Sequence, residues 1–305
     1  MKVVVVHATG GTDVLSHEDA EPPEPGDGEV LIRVRAASVN PVDWKVRSGL
    51  VDRPLPVVLG DDVAGTVELS RAQGFSTGDD VLGWALSGGY AELATARAGE
   101  IAHKPDGVRF NHAAAIPMSG LTAWQALFDH GRLERGGTVL IAGAAGGIGH
   151  IAIQLARFAG AHVIGTGSSR NRDFVLGLGA DEYVDYTRED VAAAARRADV
   201  LLDLVGGDTT RSLLQAVRPG AVLAGIAYPP PADWPATEQA ARDAGARAEY
   251  VMTRARPDQL TRLAELVAAG DMRIELAAVL PLTAARQAHE LSESGHTRGK
   301  IVLTP

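Results

Sequence analysis

No cysteine occurs anywhere in the 305 residues, which removes disulfides, thiol nucleophiles and thiolate metal sites at once. Excess positive charge is missing too. Lys and Arg total 29 against 38 Asp and Glu, a formal net charge of -9, whereas a polyanionic partner is ordinarily met by a clustered basic face. Nucleic acid and anionic membrane surfaces are therefore not expected as partners. Nowhere do about eighteen apolar residues run together. The opening Met1-Lys-Val-Val-Val-Val6 is too short for a signal-peptide core, so the expected setting is the cytoplasm. There is no internal repeat and no low-complexity tract. What remains is an apolar content of 46%, enough over this length for two globular units of ordinary domain size.

The most informative stretch is Val139-Leu-Ile-Ala-Gly-Ala-Ala-Gly-Gly-Ile-Gly149 and its continuation to Ala156. Thr138 to Ile141 has the composition of a buried strand. Ile148, Ile151, Ala152 and Leu155 then repeat at the spacing of one face of an amphipathic helix. Between them Ala144, Gly146 and Gly149 stand at the three spaced positions of a dinucleotide fingerprint: a tight turn, a close backbone approach to pyrophosphate, and helix-against-strand packing. Gly147 and Ile148 complete the turn, and the free N–H groups of the helix beginning near Ile148 would receive the diphosphate.

The following strand selects the nucleotide. His162-Val-Ile-Gly165 leads into Thr166-Gly-Ser-Ser-Arg-Asn-Arg172, where an NAD site usually carries an acid for the ribose 2′-hydroxyl. No acid stands there. Ser168 and Ser169 offer hydroxyls, and Arg170 and Arg172 offer forked donors suited to a phosphate. The pocket reads as a 2′-phosphate site and the cofactor as NADPH. The alternative is a solvated loop that happens to carry two arginines.

The first hundred residues alternate in short runs, Val3 to Val6, Val30 to Ala36, Val63 to Leu69 and Val81 to Leu82, and predict an antiparallel β unit. From about Ala113 the texture becomes helical and then alternates between strand and helix until about Met252. Six strands are predicted there: Thr138 to Gly143, His162 to Thr166, Tyr183 to Asp185, Val200 to Leu204, Ala221 to Ala227 and Arg247 to Met252. That is the complement of a doubly wound sheet. The tail predicts a helix over Pro257 to Ala269, a strand near Ala278, a helix near Thr283 to Ser292 and a strand at Lys300 to Leu303. It has no partners of its own and is expected to complete the first unit. The fold class is α/β, with residues 1–113 and 256–305 forming a β domain and residues 114–255 a six-stranded Rossmann domain.

Eight segments in order carry a resemblance. They are Ala37-Ser-Val-Asn-Pro-Val-Asp43, Arg47-Ser-Gly49, Leu59-Gly-Asp-Asp-Val-Ala-Gly65, Gly88-Gly-Tyr-Ala-Glu92, Ala115 to Trp124, the glycine turn, Asp203-Leu-Val-Gly-Gly207 and Gly299-Lys-Ile-Val-Leu303. Together they resemble the medium-chain dehydrogenase/reductase superfamily, in its zinc-free quinone oxidoreductase branch, the zeta-crystallin-like proteins. The resemblance covers essentially the whole chain and implies a GroES-like β domain beside the Rossmann domain. It also implies missing chemistry. Zinc-dependent relatives place a cysteine where this chain has Asn40 and a histidine where it has Asp61, and they carry a four-cysteine lobe that has no counterpart here. No metal site is expected. Without a Lewis acid, simple alcohol oxidation is disfavoured. A quinone or α,β-unsaturated carbonyl, already electron-poor, needs mainly orientation and a few hydrogen bonds.

Carried over residue by residue, the resemblance puts Asn40 beside the nicotinamide ribose and Thr122 near the carboxamide. Gly206 and Gly225, at strand ends, would admit backbone to the nicotinamide half, and Tyr186 would cover the adenosine 2′-phosphate, its alternative being packing against a helix. Many members carry a tyrosine two residues after the aspartate matched by Asp43, where this chain has Lys45. That lysine could donate to an enolate oxygen, although an exposed lysine is the commoner outcome. Asp43 is expected near the substrate as a hydrogen-bond acceptor, and Asp61 and Asp62 as turn residues. Trp44, Trp84 and Tyr228 could wall a flat acceptor, with core packing the alternative for each. The implied activity is NADPH-dependent quinone or enone reduction by a homodimer paired through the edge strand at Arg247 to Met252. A dedicated enoyl or cyclising reductase, or a non-catalytic NADPH-binding crystallin-like or regulatory protein, remain open.

Overall fold

Valine-rich runs broken by glycine and proline build strands wherever alternate side chains can reach a common core. A computed structural model describes every residue except Arg196, Ala227, Tyr228, Pro229 and Pro231. In chain order the first elements are β1 (Lys2–Val6), β2 (Leu15–Asp19), β3 (Glu29–Val39), α1 (Pro41–Ser48), β4 (Val57–Val58), β5 (Asp62–Ser70), β6 (Asp80–Trp84), β7 (Leu93–Arg97) and β8 (Ile101–His103). Helices α2 (Phe110–Ala114) and α3 (Pro117–Trp124) follow. The next six strands are β9 (Thr138–Ala142), β10 (His162–Gly167), β11 (Glu182–Asp185), β12 (Ala198–Asp203), β13 (Val217–Gly225) and β14 (Arg247–Tyr250). Among the helices between them are α4 (Gly149–Phe158), α5 (Arg172–Gly177), α6 (Val191–Ala194), α7 (Asp208–Leu213) and α8 (Trp234–Asp243). The tail holds α9 (Pro257–Ala269), β15 (Leu276–Pro281), α10 (Ala285–Glu293) and β16 (Lys300–Thr304).

Two units result. Met1–Leu121 with Arg254–Pro305 form one, and Thr122–Thr253 the other. The first junction falls later than the expected 113/114 because α2 packs on β3 and β5 of the β unit. The helical texture that begins near Ala113 therefore still belongs to the first unit. Seven strands form its main sheet, in the order β15-β16-β3-β5-β6-β8 with β7 paired to β3, and β2-β1-β4 form a smaller one. The tail does return to this unit, where β16 pairs with β3. The strands of the first hundred residues pair antiparallel, as expected, while the tail adds a parallel pair, β15 with β16. Helix α10 crosses over between them, and a crossover is what a parallel pair requires.

In the second unit all five pairings are parallel, in the order β11-β10-β9-β12-β13-β14. Counted along the unit this is 3-2-1-4-5-6, the doubly wound dinucleotide order. Its central strands carry continuous apolar runs, as strands covered on both faces must. Helix α4 is more buried than its stripe suggested, with His150 and Gln154 enclosed along with Ile151 and Leu155. Among the described residues no helix is long and apolar enough to cross a membrane.

Candidate active site

The turn after β9 is dictated by what a side chain would strike. A Cβ on Gly149 would lie 2.4 Å from the Gly143 carbonyl oxygen and 2.7 Å from that of Ala144, both backbone atoms with nowhere to go. Gly143 has φ of +77°, a conformation that favours glycine, and Gly146 N–H donates to its carbonyl at 3.1 Å. On the neighbouring strand a Cβ on Gly165 would meet the Ala144 methyl at 3.1 Å and Val175 at 2.5 Å. The turn is thus pressed against β10, with Gly146, Gly147 and Ile148 partly open to solvent ahead of helix α4. Backbone N–H groups ahead of a helix, in a turn without bulky side chains, have the geometry that suits a diphosphate.

At the ends of β10 and β11 the expected adenosine-side residues come together. Ser168, Ser169, Arg170 and Arg172 follow β10 directly, and Tyr186 N–H donates to the Gly167 carbonyl at 3.2 Å, bringing an exposed ring beside them. The Tyr183 hydroxyl donates to the Ser168 carbonyl at 2.6 Å. Arg172 lies over the Tyr183 ring, 5.8 Å from its centroid. One carboxylate escaped sequence reasoning. Asp185, at the end of the third strand rather than the second, accepts from the Ser169 hydroxyl and from Thr187 N–H and hydroxyl at 3.0 and 2.7 Å. The Ser169 bond, first among these contacts, holds its pKa below the usual range.

After β12, Asp203 organises the next turn by accepting from Val205 and Gly206 N–H, each at 3.0 Å, and from the Thr210 hydroxyl. Gly206 and Gly207 have φ of +79° and +65° and nothing within 4 Å of a would-be Cβ, so their backbone is open. Gly225 differs. Its missing side chain makes room for the Trp234 ring, 2.6 Å from where a Cβ would be, which gives it a packing reason of its own. Thr122 is buried and shares a 2.7 Å hydrogen bond with Thr253.

In the first unit a polar network is buried where β3 gives way to α1. Asn40 precedes Pro41, whose fixed φ suits the first helical position, and Asp43 sits three residues on. The Asp43 carboxylate accepts from Asn40 N–H at 2.8 Å, Gly60 N–H at 3.3 Å and the Tyr90 hydroxyl at 3.0 Å. Burial, with the Asp61 charge second, still pushes its pKa up to about 7. Asn40 Nδ2 donates to Asp62 at 2.9 Å, and the other Asp62 oxygen accepts from Met118 N–H, also at 2.9 Å. Lys300 Nζ donates to Asn40 Oδ1 and to the Val39 carbonyl. Burial raises Asp62 to about 6, against the pull of Lys300, and lowers Lys300.

Asp62 is therefore not the turn residue expected. It opens β5 fully enclosed, because Asn40 and Met118 supply the hydrogen bonds that water would and the Lys300 charge favours its ionised form. Asp61 makes a two-pronged ion pair with Arg53, at 3.0 and 3.1 Å. Tyr90 and Lys300 were missed as site residues, although both lie in segments that the resemblance picked out. Trp84 faces Asp62 across β5 and β6, so the two share a face of the sheet. Trp44 and Lys45 are half-buried, with Lys45 Nζ 5.6 Å from the Trp44 ring centroid, and burial lowers the Lys45 pKa. Tyr228 lies outside the described residues. Among the described residues no group of His, Cys, Asp or Glu converges in the number a metal ion needs.

A doubly wound unit with a glycine turn after its first strand, in one chain with a GroES-like β unit, defines a class: two-unit oxidoreductases that use a nicotinamide dinucleotide. Residues 26–106 match the alcohol dehydrogenase GroES-like domain family and residues 178–303 the family described as zinc-binding dehydrogenase. The chain belongs to the quinone oxidoreductase branch of the medium-chain dehydrogenase/reductase superfamily. A quinone oxidoreductase of Pseudomonas aeruginosa is 35% identical over 98% of both chains. The quinone oxidoreductase of Escherichia coli, solved with NADPH, superposes with a TM-score of 0.91 at 27% identity over all of both chains. A structure described as an NAD-dependent alcohol dehydrogenase superposes as well, with a TM-score of 0.93 at 30% identity over all of both chains. Likeness of fold alone does not choose between the two cofactors.

Proposed function

We propose that this chain is an NADPH-dependent, zinc-independent reductase that delivers hydride to a quinone or an α,β-unsaturated carbonyl. The observation that carries the cofactor choice is the cluster of Ser168, Ser169, Arg170, Arg172 and Tyr186 at the ends of adjacent strands, where the acid that ends β11, Asp185, has its oxygens engaged by Ser169 and Thr187. Forked guanidiniums and hydroxyls suit a dianionic phosphate. Zinc independence is supported by the donor set. The Asn40 oxygen already accepts from an ammonium, and both Asp61 oxygens from a guanidinium, so the atoms a metal would use are committed to other cations.

Bound NADPH supplies the hydride. The glycine turn would take its diphosphate, and Gly206, Gly225 and Thr122 its nicotinamide half. Asn40 would hold the nicotinamide ribose. Lys45 would donate a hydrogen bond to the acceptor's oxygen while solvent supplies the proton, with Asp43, Trp44, Trp84 and Tyr228 proposed around the acceptor. Replacing Arg170 and Arg172 together with alanine should raise the Kd for NADPH about tenfold or more, since a charged hydrogen bond contributes roughly 1.5 to 3 kcal/mol. NADH should be nearly unaffected. Because Arg172 also leans on Tyr183, Arg170→Ala alone should show the same preference more weakly. Equal losses for both cofactors, or NADPH bound but never consumed with any quinone or enone, would overturn the reading.

We also propose a homodimer through β14, the edge of the parallel sheet. Val251 N–H donates inward to Gly225 at 3.0 Å, so strand alternation turns the Ala248 and Tyr250 N–H groups outward. Ala248→Pro should convert a dimer to a monomer in sedimentation. A wild-type monomer at micromolar concentration ends this idea.

A further inference from the structure

The two buried charges of the first unit, Asp62 and Lys300, have no role in the reading above beyond the commitment of the Asn40 oxygen to an ammonium. Lys300 opens β16, and the pairing of Ile301 with Val39 delivers it beside Asn40. Asn40, Asp62 and Lys300 are 2%, 0% and 4% exposed. The ammonium and the carboxylate do not pair directly. They meet through the two ends of one amide: Lys300 on Oδ1, Asp62 on Nδ2.

That bridge fixes the amide. An ammonium can only donate and a carboxylate only accept, so a flipped Asn40 would set its NH2 against Lys300 and its oxygen against Asp62. Charge, rather than packing, determines which end is which. The capping box of α1 adds the Asp43 N–H as a donor to the Asn40 side chain, so the oxygen is fully engaged and the second N–H of the amide is held in a single plane and direction. Two buried charges are an expensive way to fill space, since apolar side chains of similar volume often serve stability as well or better. Asp62 extends the constraint by accepting from Met118 N–H, at the start of α3.

We infer that Lys300 and Asp62 are positioning residues that act through Asn40, orienting its second N–H for a nicotinamide ribose hydroxyl. This rests on the proposed contact between Asn40 and that ribose, and on no other part of the functional reading.

The test is binding of two probes, NADPH and 2′,5′-ADP, the second lacking the nicotinamide ribose altogether. Lys300→Met should weaken NADPH about tenfold, the equivalent of one hydrogen bond, and lower kcat/KM, while leaving 2′,5′-ADP unchanged. Lys300→Gln, which keeps a donor, should recover most of the loss. Adding Lys300→Met to Asn40→Ala should weaken NADPH no further than Asn40→Ala does, because residues that act as a unit are not additive. If Lys300→Met does not fold, the paired Asp62→Asn/Lys300→Met variant removes both charges and should show the same pattern. A loss in Asn40→Ala with none in the Lys300 variants overturns the inference and leaves the ribose contact standing. No loss in Asn40→Ala overturns the contact, and the inference with it. Equal losses for both probes in every Lys300 variant mean general damage and overturn a positioning role.

Discussion

The glycine turn of the second unit and the polar network of the first are both close-fitting, yet they are built from opposite materials. The turn consists of backbone from one continuous stretch, Gly143 to Gly149, and functions because side chains are absent. The network consists of side chains from Asn40, Asp43, Asp62, Tyr90 and Lys300, segments that only the folded sheet brings together. A backbone site tolerates nothing added. A side-chain site tolerates nothing removed, because each member leaves a buried partner unsatisfied.

The sharpest way to break that contrast is to add atoms to the turn. Gly149→Val would drive a Cβ to 2.4 Å from the Gly143 carbonyl, and backbone cannot rotate away as a flexible side chain can. Overpacking usually costs about 1 to 3 kcal/mol, and this site should lie at the upper end. NADPH binding should be abolished. A variant that melts and binds like the wild type would mean that the turn is not a cradle for the diphosphate.

The same contrast explains what could be read from the chain beforehand. Glycine spacing, the strand before it and the helix after it are local, so the turn and all six strands of the parallel sheet were legible, within a few residues at the ends. Asn40 and Asp43 were legible through the resemblance, but their partners were not. Lys300 lies 260 residues from Asn40, and nothing local separates it from any lysine that starts a strand. Asp62 was misread because an acid pair beside a glycine has the composition of a turn. Only the pairing of β3 with β5, which sets Asp62 opposite Ser38, encloses it. Asp185 escaped because it ends the third strand, whereas dinucleotide sites usually keep their acid at the end of the second. Helix α4 was read from its apolar stripe, and periodicity reports one buried face and is silent when the other is covered too.

A smaller subtraction tests the network's electrostatics. Tyr90→Phe removes one donor from Asp43 and little volume. The Asp43 carboxyl sits at about 7 in the folded chain, above its ordinary 3.8, so between those values the folded state keeps a proton that the unfolded state releases. Its stabilising contribution is full below about pH 4 and is lost as pH rises through about 7. The Tyr90 bond favours the ionised form, so deleting it should raise the folded value further. The stability gap between wild type and Tyr90→Phe should widen with pH, from about 1 kcal/mol near pH 5 to about 2 kcal/mol near pH 8, as a neutral acceptor becomes a charged one. Urea unfolding at the two pH values measures it. A constant gap would mean that Asp43 is already ionised at the lower pH, and a narrowing one that the Tyr90 bond favours its protonated form.

The smallest effect is expected at Lys45, where the two kinds of site can be told apart by what replaces the side chain. Its ammonium lies 5.6 Å from the Trp44 ring centroid, and the residue is half-buried. A lysine that contributes a hydrogen bond, with solvent providing the proton, can be replaced by another donor. Lys45→Gln should then change kcat by less than about threefold, and Lys45→Met, which has no donor, should lower it about tenfold, the difference of one modest hydrogen bond. A proton donor behaves otherwise. Glutamine cannot release a proton near neutral pH, so a general acid at this position would lose about 100-fold or more in both variants. Steady-state rates with one quinone at saturating NADPH distinguish the cases. A large loss in Lys45→Gln would move the proton transfer onto the protein, and unchanged rates in Lys45→Met would take Lys45 out of the site.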